Sequence, residues 1–271
     1  MEYVTVQGEE IPALGFGTWQ ISGPGCARAV RDALEIGYRH IDTAQAYENE
    51  QHVGDGIQES PVERDEIFLT TKVWHKNLAR QSVLRTTEQS LRRLGTDYVD
   101  LLLIHWPVDD VPLAETLNAM VDLKEEGKAR NIGVSNFPPS RLREAADHSS
   151  ILCNQIEYHP YLAQHEILEI ARERELMVTA YSPLARGRIP RDETLQKIGS
   201  RYDKSAAQVG LRWLVQQDNV SAIPKAASHE HRVANFEIFD FELSDEEMET
   251  IAGLDRRLRI IDPSFAPDWE Q

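Results

Sequence analysis

An aspartate, a tyrosine, a lysine and a histidine stand at intervals that suit proton delivery to a carbonyl oxygen. Asp42 falls at the end of the run H-I-D-T (40–43) and Tyr47 follows five residues later. Lys72 closes I-F-L-T-T-K (67–72), and His105 closes V-D-L-L-L-I-H (99–105). A phenol is ordinarily too weak an acid to serve near neutral pH. An ammonium beside it favours the phenolate and is expected to pull the pKa down, while a buried carboxylate would keep that ammonium charged and fixed. A neutral imidazole can donate a hydrogen bond to a substrate carbonyl and orient it. Such a set protonates an oxygen as hydride reaches the adjacent carbon. Each residue alone has a plainer reading: Asp42 and Lys72 as a structural ion pair, Tyr47 as packing, His105 before Trp106-Pro107 as a core histidine. Four of them at consecutive strand ends outweigh those readings.

The elements that must carry these residues are legible as short apolar runs alternating with amphipathic stretches. The runs are G-F-G-T (15–18), 40–43, 67–72, 99–105, N-I-G-V-S-N (131–136), C-N-Q-I-E-Y (153–158), V-T-A-Y-S (178–182) and S-A-I-P (221–224). Most lack strict polar alternation, as parallel strands covered on both faces do. Val83, Thr87, Leu91 and Leu94 mark one face of a helix over 80–94. Leu113, Leu117, Met120 and Val121 mark a second, stopped by Gly127, and Ser244 with Glu247 predicts a capping box. Eight strands alternating with helices predict an α/β fold, a (β/α)8 TIM barrel forming one domain over 1–271, preceded by a short β-hairpin within 1–12. An open doubly wound sheet would want G-x-G-x-x-G opening a helix. The nearest candidate, G-F-G-T-W (15–19), lacks the third glycine. Chemistry in a barrel sits at the C-terminal ends of the strands, where all four residues fall.

Composition narrows the partners. The net charge of −16 argues against nucleic acid and anionic membrane surfaces, and no apolar run is long enough to span a bilayer. The amino terminus has no signal-peptide pattern, and Cys26 and Cys153 form no metal or redox spacing, so a reducing cytoplasm and a metal-free site are expected. Arginine outnumbers lysine 22 to 7. An acidic, lysine-poor surface is the composition of a protein that stays hydrated in concentrated salt, and salt adaptation is offered as a hypothesis.

The segment G-Y-R-H-I-D-T-A-Q-A-Y-E-N-E-Q-H-V-G (37–54) resembles the first signature of the aldo-keto reductases. The resemblance continues through L-L-I-H-W-P (102–107), G-V-S-N-F (133–137), N-Q-I-E-Y (154–158), Y-S-P-L (181–184), I-P-K (223–225) and F-D-F-E-L-S (239–244), nearly the whole chain. It implies a catalytic tetrad of Asp42, Tyr47, Lys72 and His105 and a nicotinamide cofactor. Ser135, Asn136 and Gln155 match the residues that hold its carboxamide, and Tyr181 matches the ring that stacks on it. Ser182 and Leu184 match the passage beside the pyrophosphate, and Thr18 lies on the same rim. Trp19, Trp74 and Trp106 match positions lining the substrate pocket.

The family's third signature departs here, reading I-P-K-A-A-S-H-E-H-R-V-A-N (223–235). Ala226 replaces a hydroxyl, His231 takes the usual arginine position with Arg232 displaced by one, and Ala234 replaces a glutamate, while Asn235 is kept. Lys225 offers a cation to a 2′-phosphate, with Ser228 and Arg232 as further hydrogen-bonding groups, so NADPH is expected, with some tolerance of NADH. The loops after 106 and 186 are short, and no long tail follows Trp269 to wall the pocket. That predicts an open site for small polar aldehydes and ketones, most similar to the prokaryotic diketogluconate and methylglyoxal reductase branch. Arg186, Arg188 and Arg191 read as a solvated turn. The expected partner is a small carbonyl substrate, and the protein is expected to be a monomer. Two rival classes remain: a nucleotide-binding regulatory subunit, and a metal-dependent hydrolase that would need clustered ligands at several strand ends.

Overall fold

A computed structural model describes residues 1–269. The chain opens with the expected antiparallel hairpin, β1 (Tyr3–Val6) and β2 (Glu9–Pro12), turned at Gln7 and Gly8 with φ of 52° and 84°. Val4, Val6 and Ile11 are buried beneath it. The Gln7 amide donates to the carbonyls of Ile151 and Glu175, just before two barrel strands begin. The hairpin therefore covers the N-terminal end of the barrel, away from the residues of interest.

The parallel sheet follows: β3 (Phe16–Gly17), β4 (His40–Asp42), β5 (Phe68–Val73), β6 (Val99–Ile104), β7 (Ala129–Ser135), β8 (Cys153–Glu157), β9 (Met177–Tyr181) and β10 (Val220–Ala222). Each strand pairs in parallel with its sequence neighbour. The Gly15 amide donates to the Ala222 carbonyl, Ala222 to Ala13 and Gly17 to Pro224, which joins first strand to last and closes the (β/α)8 barrel. The first strand is pressed close to its surroundings. A Cβ on Gly17 would meet the Ile223 carbonyl oxygen at 2.8 Å, and one on Gly15 the His40 ring at 2.8 Å.

Helices α1 (Pro24–Ile36), α2 (Glu50–Gln58), α3 (Arg80–Leu94), α4 (Leu113–Glu125), α5 (Pro139–His148), α6 (His165–Glu173), α7 (Glu193–Gly199), α8 (Ala206–Val215), α9 (His229–Phe236) and α10 (Asp245–Ala252) alternate with the strands or follow them. All four residues expected on the inner face of α3 are buried. In α4, Leu117 and Met120 are buried, while Leu113 and Val121 pack partly exposed against the core. Both bonds of the capping box at Ser244 and Glu247 form, a device worth about 1 kcal/mol.

Side chains along a strand alternate faces, so every second residue enters the barrel. That rule places His40 and Asp42, Thr70 and Lys72, Ser135, Cys153 and Gln155, and Thr179 on the inside, and the contacts agree. His40 Nε2 lies 3.2 Å from Thr70 Oγ1, and Ser221 Oγ lies 3.0 Å from Thr179 Oγ1. Cys26 and Cys153 are free buried thiols, pushed up by burial to about 11 and about 12, which leaves them protonated and inert.

Candidate active site

The strand ends at the C-terminal rim surround a cavity of about 820 Å³, within the roughly 300–1,000 Å³ of small-molecule and cofactor sites. Beneath its floor Lys72 is 0% exposed. Its Nζ donates to Asp42 Oδ1 at 2.5 Å, to the Thr43 carbonyl at 2.9 Å and to the Tyr47 hydroxyl oxygen at 3.4 Å. Gln155 Nε2 donates to the other carboxylate oxygen of Asp42 at 2.8 Å. Tyr47 ends a single 3₁₀ turn, Gln45–Tyr47, after β4. The Tyr47 and His105 rings meet edge to face with centroids 5.7 Å apart. Thr18 is fully buried and donates through Oγ1 to the Asp42 carbonyl at 2.9 Å, so it fixes the end of β4 and does not line the cavity.

Electrostatics set the protonation of this cluster. Burial pulls the Lys72 ammonium below its ordinary pKa, against which the Asp42 carboxylate works. Burial drives the His105 imidazole well below its usual range, helped by the nearby Lys72 charge, so the ring is neutral as expected. Tyr47 corrects the sequence expectation. Burial, with the Asp42 carboxylate second, raises its hydroxyl well above a free phenol. The ammonium that was to lower it is matched by a carboxylate 2.5 Å away, so little net positive charge reaches the phenol.

Beside this cluster Ser135, Asn136, Gln155 and Tyr181 form one net. Ser135 Oγ donates to the Gln155 carbonyl at 2.8 Å. Asn136 Nδ2 donates to the His105 carbonyl at 2.9 Å and to Ser135 Oγ at 3.0 Å. The Tyr181 hydroxyl donates to Asn136 Oδ1 at 2.6 Å. Asn136 and Ser182 are held at φ of 63° and 47°, backbone strain of the kind stored at functional sites. All five residues line the cavity. Amide and hydroxyl oxygens keep capacity for further hydrogen bonds, and the Tyr181 ring offers a flat face, so the set fits an aromatic carboxamide.

The third-signature residues divide. Lys225 is exposed and lines the cavity. Arg232 does not: its Nε donates to Asp32 Oδ2 at 2.6 Å and its Nη1 to the carbonyls of Ala226 and Ala227 at 3.1 and 2.9 Å. The expectation that Arg232 meets a phosphate is corrected, since its guanidinium clamps α9 to α1 and shapes the 226–228 turn. Ser228 caps α9, accepting from the His231 amide, while Asn235 is buried on that helix. Leu184 packs against the core and stays off the cavity wall.

Trp19, Trp74 and Trp106 all line the cavity, as expected. One expectation about its edge is refined and another corrected. Arg186, Arg188 and Arg191 are all exposed, as residues of a solvated turn, but the Arg186 guanidinium also lies 4.7 Å over the Trp19 ring and lines the cavity. The site is also walled by the tail, because Ile260, Ile261, Asp262, Pro263 and Phe265 fold back onto it. Phe265 packs against Trp74 and Trp106 with centroids 5.5 and 5.6 Å away. The buried carboxylate of Glu157, at the end of β8, pins this tail by accepting from the Ile260 amide at 2.9 Å and the Ile261 amide at 2.8 Å. Sequence reading missed Phe265, Asp262 and Glu157; only the aromatic pair Phe265 and Trp269 in a polar tail hinted at them. Among the described residues no group of three or more His, Cys, Asp or Glu could hold a metal ion, and no helix is long and apolar enough to cross a membrane.

The comparisons with known proteins agree with this geometry. Residues 13–256 match the aldo/keto reductase family. The chain is 38% identical over 266 residues to methylglyoxal reductase DkgB of Escherichia coli O157:H7, covering 96% of this chain and 99% of that protein. Its fold superposes on the crystal structure of a putative 2,5-diketo-D-gluconic acid reductase B with a TM-score of 0.98 at 46% identity, covering 100% of this chain and 98% of that one. It also superposes on a Bombyx mori aldo-keto reductase in complex with NADP with a TM-score of 0.92 at 34% identity, covering 98% and 97%. The chain belongs to the aldo/keto reductase family and is an oxidoreductase.

Proposed function

We propose that this enzyme reduces small aldehydes and ketones to alcohols with NADPH. The observation that carries the reading is the buried Lys72 ammonium set between Asp42 Oδ1 at 2.5 Å and the Tyr47 hydroxyl at 3.4 Å, beneath a cavity that Asp42, Tyr47 and aromatic rings line. The bound cofactor supplies hydride. Tyr47 delivers the proton to the carbonyl oxygen, and its raised pKa ensures that it still holds that proton when substrate arrives. Lys72 stands ready to stabilise the phenolate left behind, and Asp42 keeps Lys72 charged and in place. The neutral His105 ring orients the carbonyl oxygen. Ser135, Asn136 and Gln155 hold the carboxamide of the cofactor and Tyr181 supports its ring, while Ser182 and Lys225 face its phosphates. Trp19, Trp74 and Trp106 enclose the substrate.

Loss of reduced-nicotinamide absorbance with methylglyoxal, glyceraldehyde, a nitrobenzaldehyde and a keto-sugar acid tests the reading. Turnover is expected with NADPH and, more weakly, with NADH. Tyr47→Phe is expected to lower kcat about 10²- to 10⁴-fold, the usual worth of a positioned general acid, with NADPH affinity retained. A variant that lost NADPH binding along with turnover would make Tyr47 a structural residue and sink this mechanism.

A further inference from the structure

The His105 ring lacks the tie that usually fixes a working imidazole. Such a ring is ordinarily oriented by the hydrogen bond that its second nitrogen makes. Here Nδ1 is buried and has no hydrogen-bond partner. Two aromatic neighbours take the place of that bond. The Tyr47 ring meets the imidazole edge to face with centroids 5.7 Å apart, and the Trp74 ring does so at 5.2 Å. Contacts of this kind depend on how far apart the rings stand. The imidazole is therefore only as well placed as the turn carrying Tyr47 is against the loop carrying Trp74.

One side chain bridges that turn and that loop. Gln45 opens the 3₁₀ turn that Tyr47 closes. Its Oε1 accepts from the Trp74 backbone amide at 3.0 Å and from Asn77 Nδ2 at 3.1 Å, and so grips both ends of the loop after β5. The loop is closed on itself by the Asn77 amide, which donates to the Trp74 carbonyl at 2.7 Å. Gln45 Nε2 donates to Ser90 Oγ on α3 at 3.3 Å. That oxygen also accepts from Arg93 Nη2 at 3.2 Å, and Arg93 is fixed by two bonds to the buried Glu50 carboxylate. The polarity of the Gln45 amide follows: a backbone N–H can only donate, so the oxygen must face Trp74. β4 and β5 end at Asp42 and Val73, so strand pairing does not couple Gln45 to Trp74. The side chain supplies that coupling.

Resting on the reading of Tyr47 as proton donor and His105 as the group that orients the carbonyl, we propose that Gln45 is a positioning residue of the reaction. By joining the Tyr47 turn to the Trp74 loop, it fixes the separation of the two rings that hold His105. It acts through those rings, because its amide neither titrates nor carries a proton to the substrate.

The test uses the whole protein. Gln45→Met keeps the length of the side chain and removes its hydrogen bonds, whereas Gln45→Glu keeps both acceptor bonds. With the aldehyde that the parent reduces fastest, Gln45→Met is expected to lower kcat about tenfold or more while NADPH affinity, read by fluorescence, stays within about twofold, since misplacing a reacting group by about 1 Å costs about 10²-fold in rate. Gln45→Glu is expected to recover most of that rate. In a His105→Gln background, Gln45→Met should cost almost nothing further, because the ring it serves is gone. A second readout needs no turnover. In isotope-labelled protein, the His105 ring resonances are expected to shift or broaden in Gln45→Met, while those of His40, fully buried in the barrel, stay in place. An unchanged kcat in Gln45→Met overturns the proposal, and so does a full additional loss in the His105→Gln background. Movement of both histidines together overturns it as well, since Gln45 would then serve general packing. A fall in NADPH affinity that matches the fall in kcat would place Gln45 in the cofactor site instead. If the parent reduces no carbonyl at all, the carbonyl-reducing reading falls, whereas the ring resonances still report whether Gln45 holds His105.

Discussion

In the proposed reaction Tyr47 keeps its proton until a substrate oxygen takes it, and the arrangement around it divides that labour. Burial and Asp42 hold the phenol protonated, while Lys72 at 3.4 Å is placed to accept the phenolate once the proton has gone. A second titrating residue, His40, lies deeper in the barrel, fully buried, and burial pulls its pKa from 6.5 to about 4. The sign follows from linkage. Unfolded chains bind a proton at this histidine below about pH 6.5, the folded chain only near pH 4, so its contribution to stability is present at neutral pH and is lost as pH falls through that window. Between pH 7 and 5 it amounts to about 2 kcal/mol. Urea unfolding at the two pH values should show His40→Gln losing that much less stability than the parent; an equal loss would mean that other groups set the acid limb. Lys225 allows a separate prediction. If it reads the 2′-phosphate, Lys225→Ala weakens NADPH binding about 10- to 100-fold, the worth of one charge-assisted bond, and leaves NADH affinity unchanged. Equal losses for both cofactors would place Lys225 at the pyrophosphate instead.

At the scale of the element, the tail is tied to the barrel by a few identifiable bonds. Glu157 accepts from the Ile260 and Ile261 amides, and the Tyr161 carbonyl accepts from Arg256 and Leu258. Glu157→Gln removes the negative charge and exchanges one acceptor oxygen for a donor, so both tail amides must share one neutral oxygen, a loss of about 1 kcal/mol or more. Hydrogen exchange should quicken at Ile260 and Ile261 while amides of β6 keep their protection. Unchanged exchange in the tail would show that Phe265 packing alone holds it. The same contrast explains what was legible from sequence. Asp42, Lys72 and His105 could be placed because near-continuous apolar runs announce parallel strands, and barrel geometry then fixes where their ends lie. The tail has no period, and its position depends on one buried carboxylate 103 residues earlier in the chain. The diversion of Arg232 to Asp32, a pair separated by 200 residues, was hidden for the same reason. Spacing gives element type and strand order, whereas a single side-chain bond across the fold leaves no pattern to read.

At the scale of the whole molecule, 45 acidic side chains face 29 lysines and arginines, and the excess must be carried at the surface. Pairs such as Arg143 with Glu166 and Arg174 with Asp147 are about half exposed and worth little each, about 0–1 kcal/mol. They cannot offset the self-repulsion of the remaining surface carboxylates. Added salt should therefore stabilise the protein, but two mechanisms predict different curves. Simple screening is largely spent once the Debye length has shrunk to about 8 Å, near 0.15 M. A surface that depends on a hydrated ion layer continues to gain into the molar range. The composition, acidic and lysine-poor, favours the second, so the unfolding temperature is expected to keep rising between a few tenths molar and several molar KCl, as order-of-magnitude bounds. A curve that flattens by a few tenths molar would assign the acidic surface to solubility alone. The same titration, followed by kcat/KM on a small aldehyde, would separate salt acting on the fold from salt acting on Arg186 and Lys225, the cavity cations proposed to meet the cofactor. The first moves stability with little change in NADPH affinity, and the second weakens NADPH binding as the phosphates lose their partners to counterions.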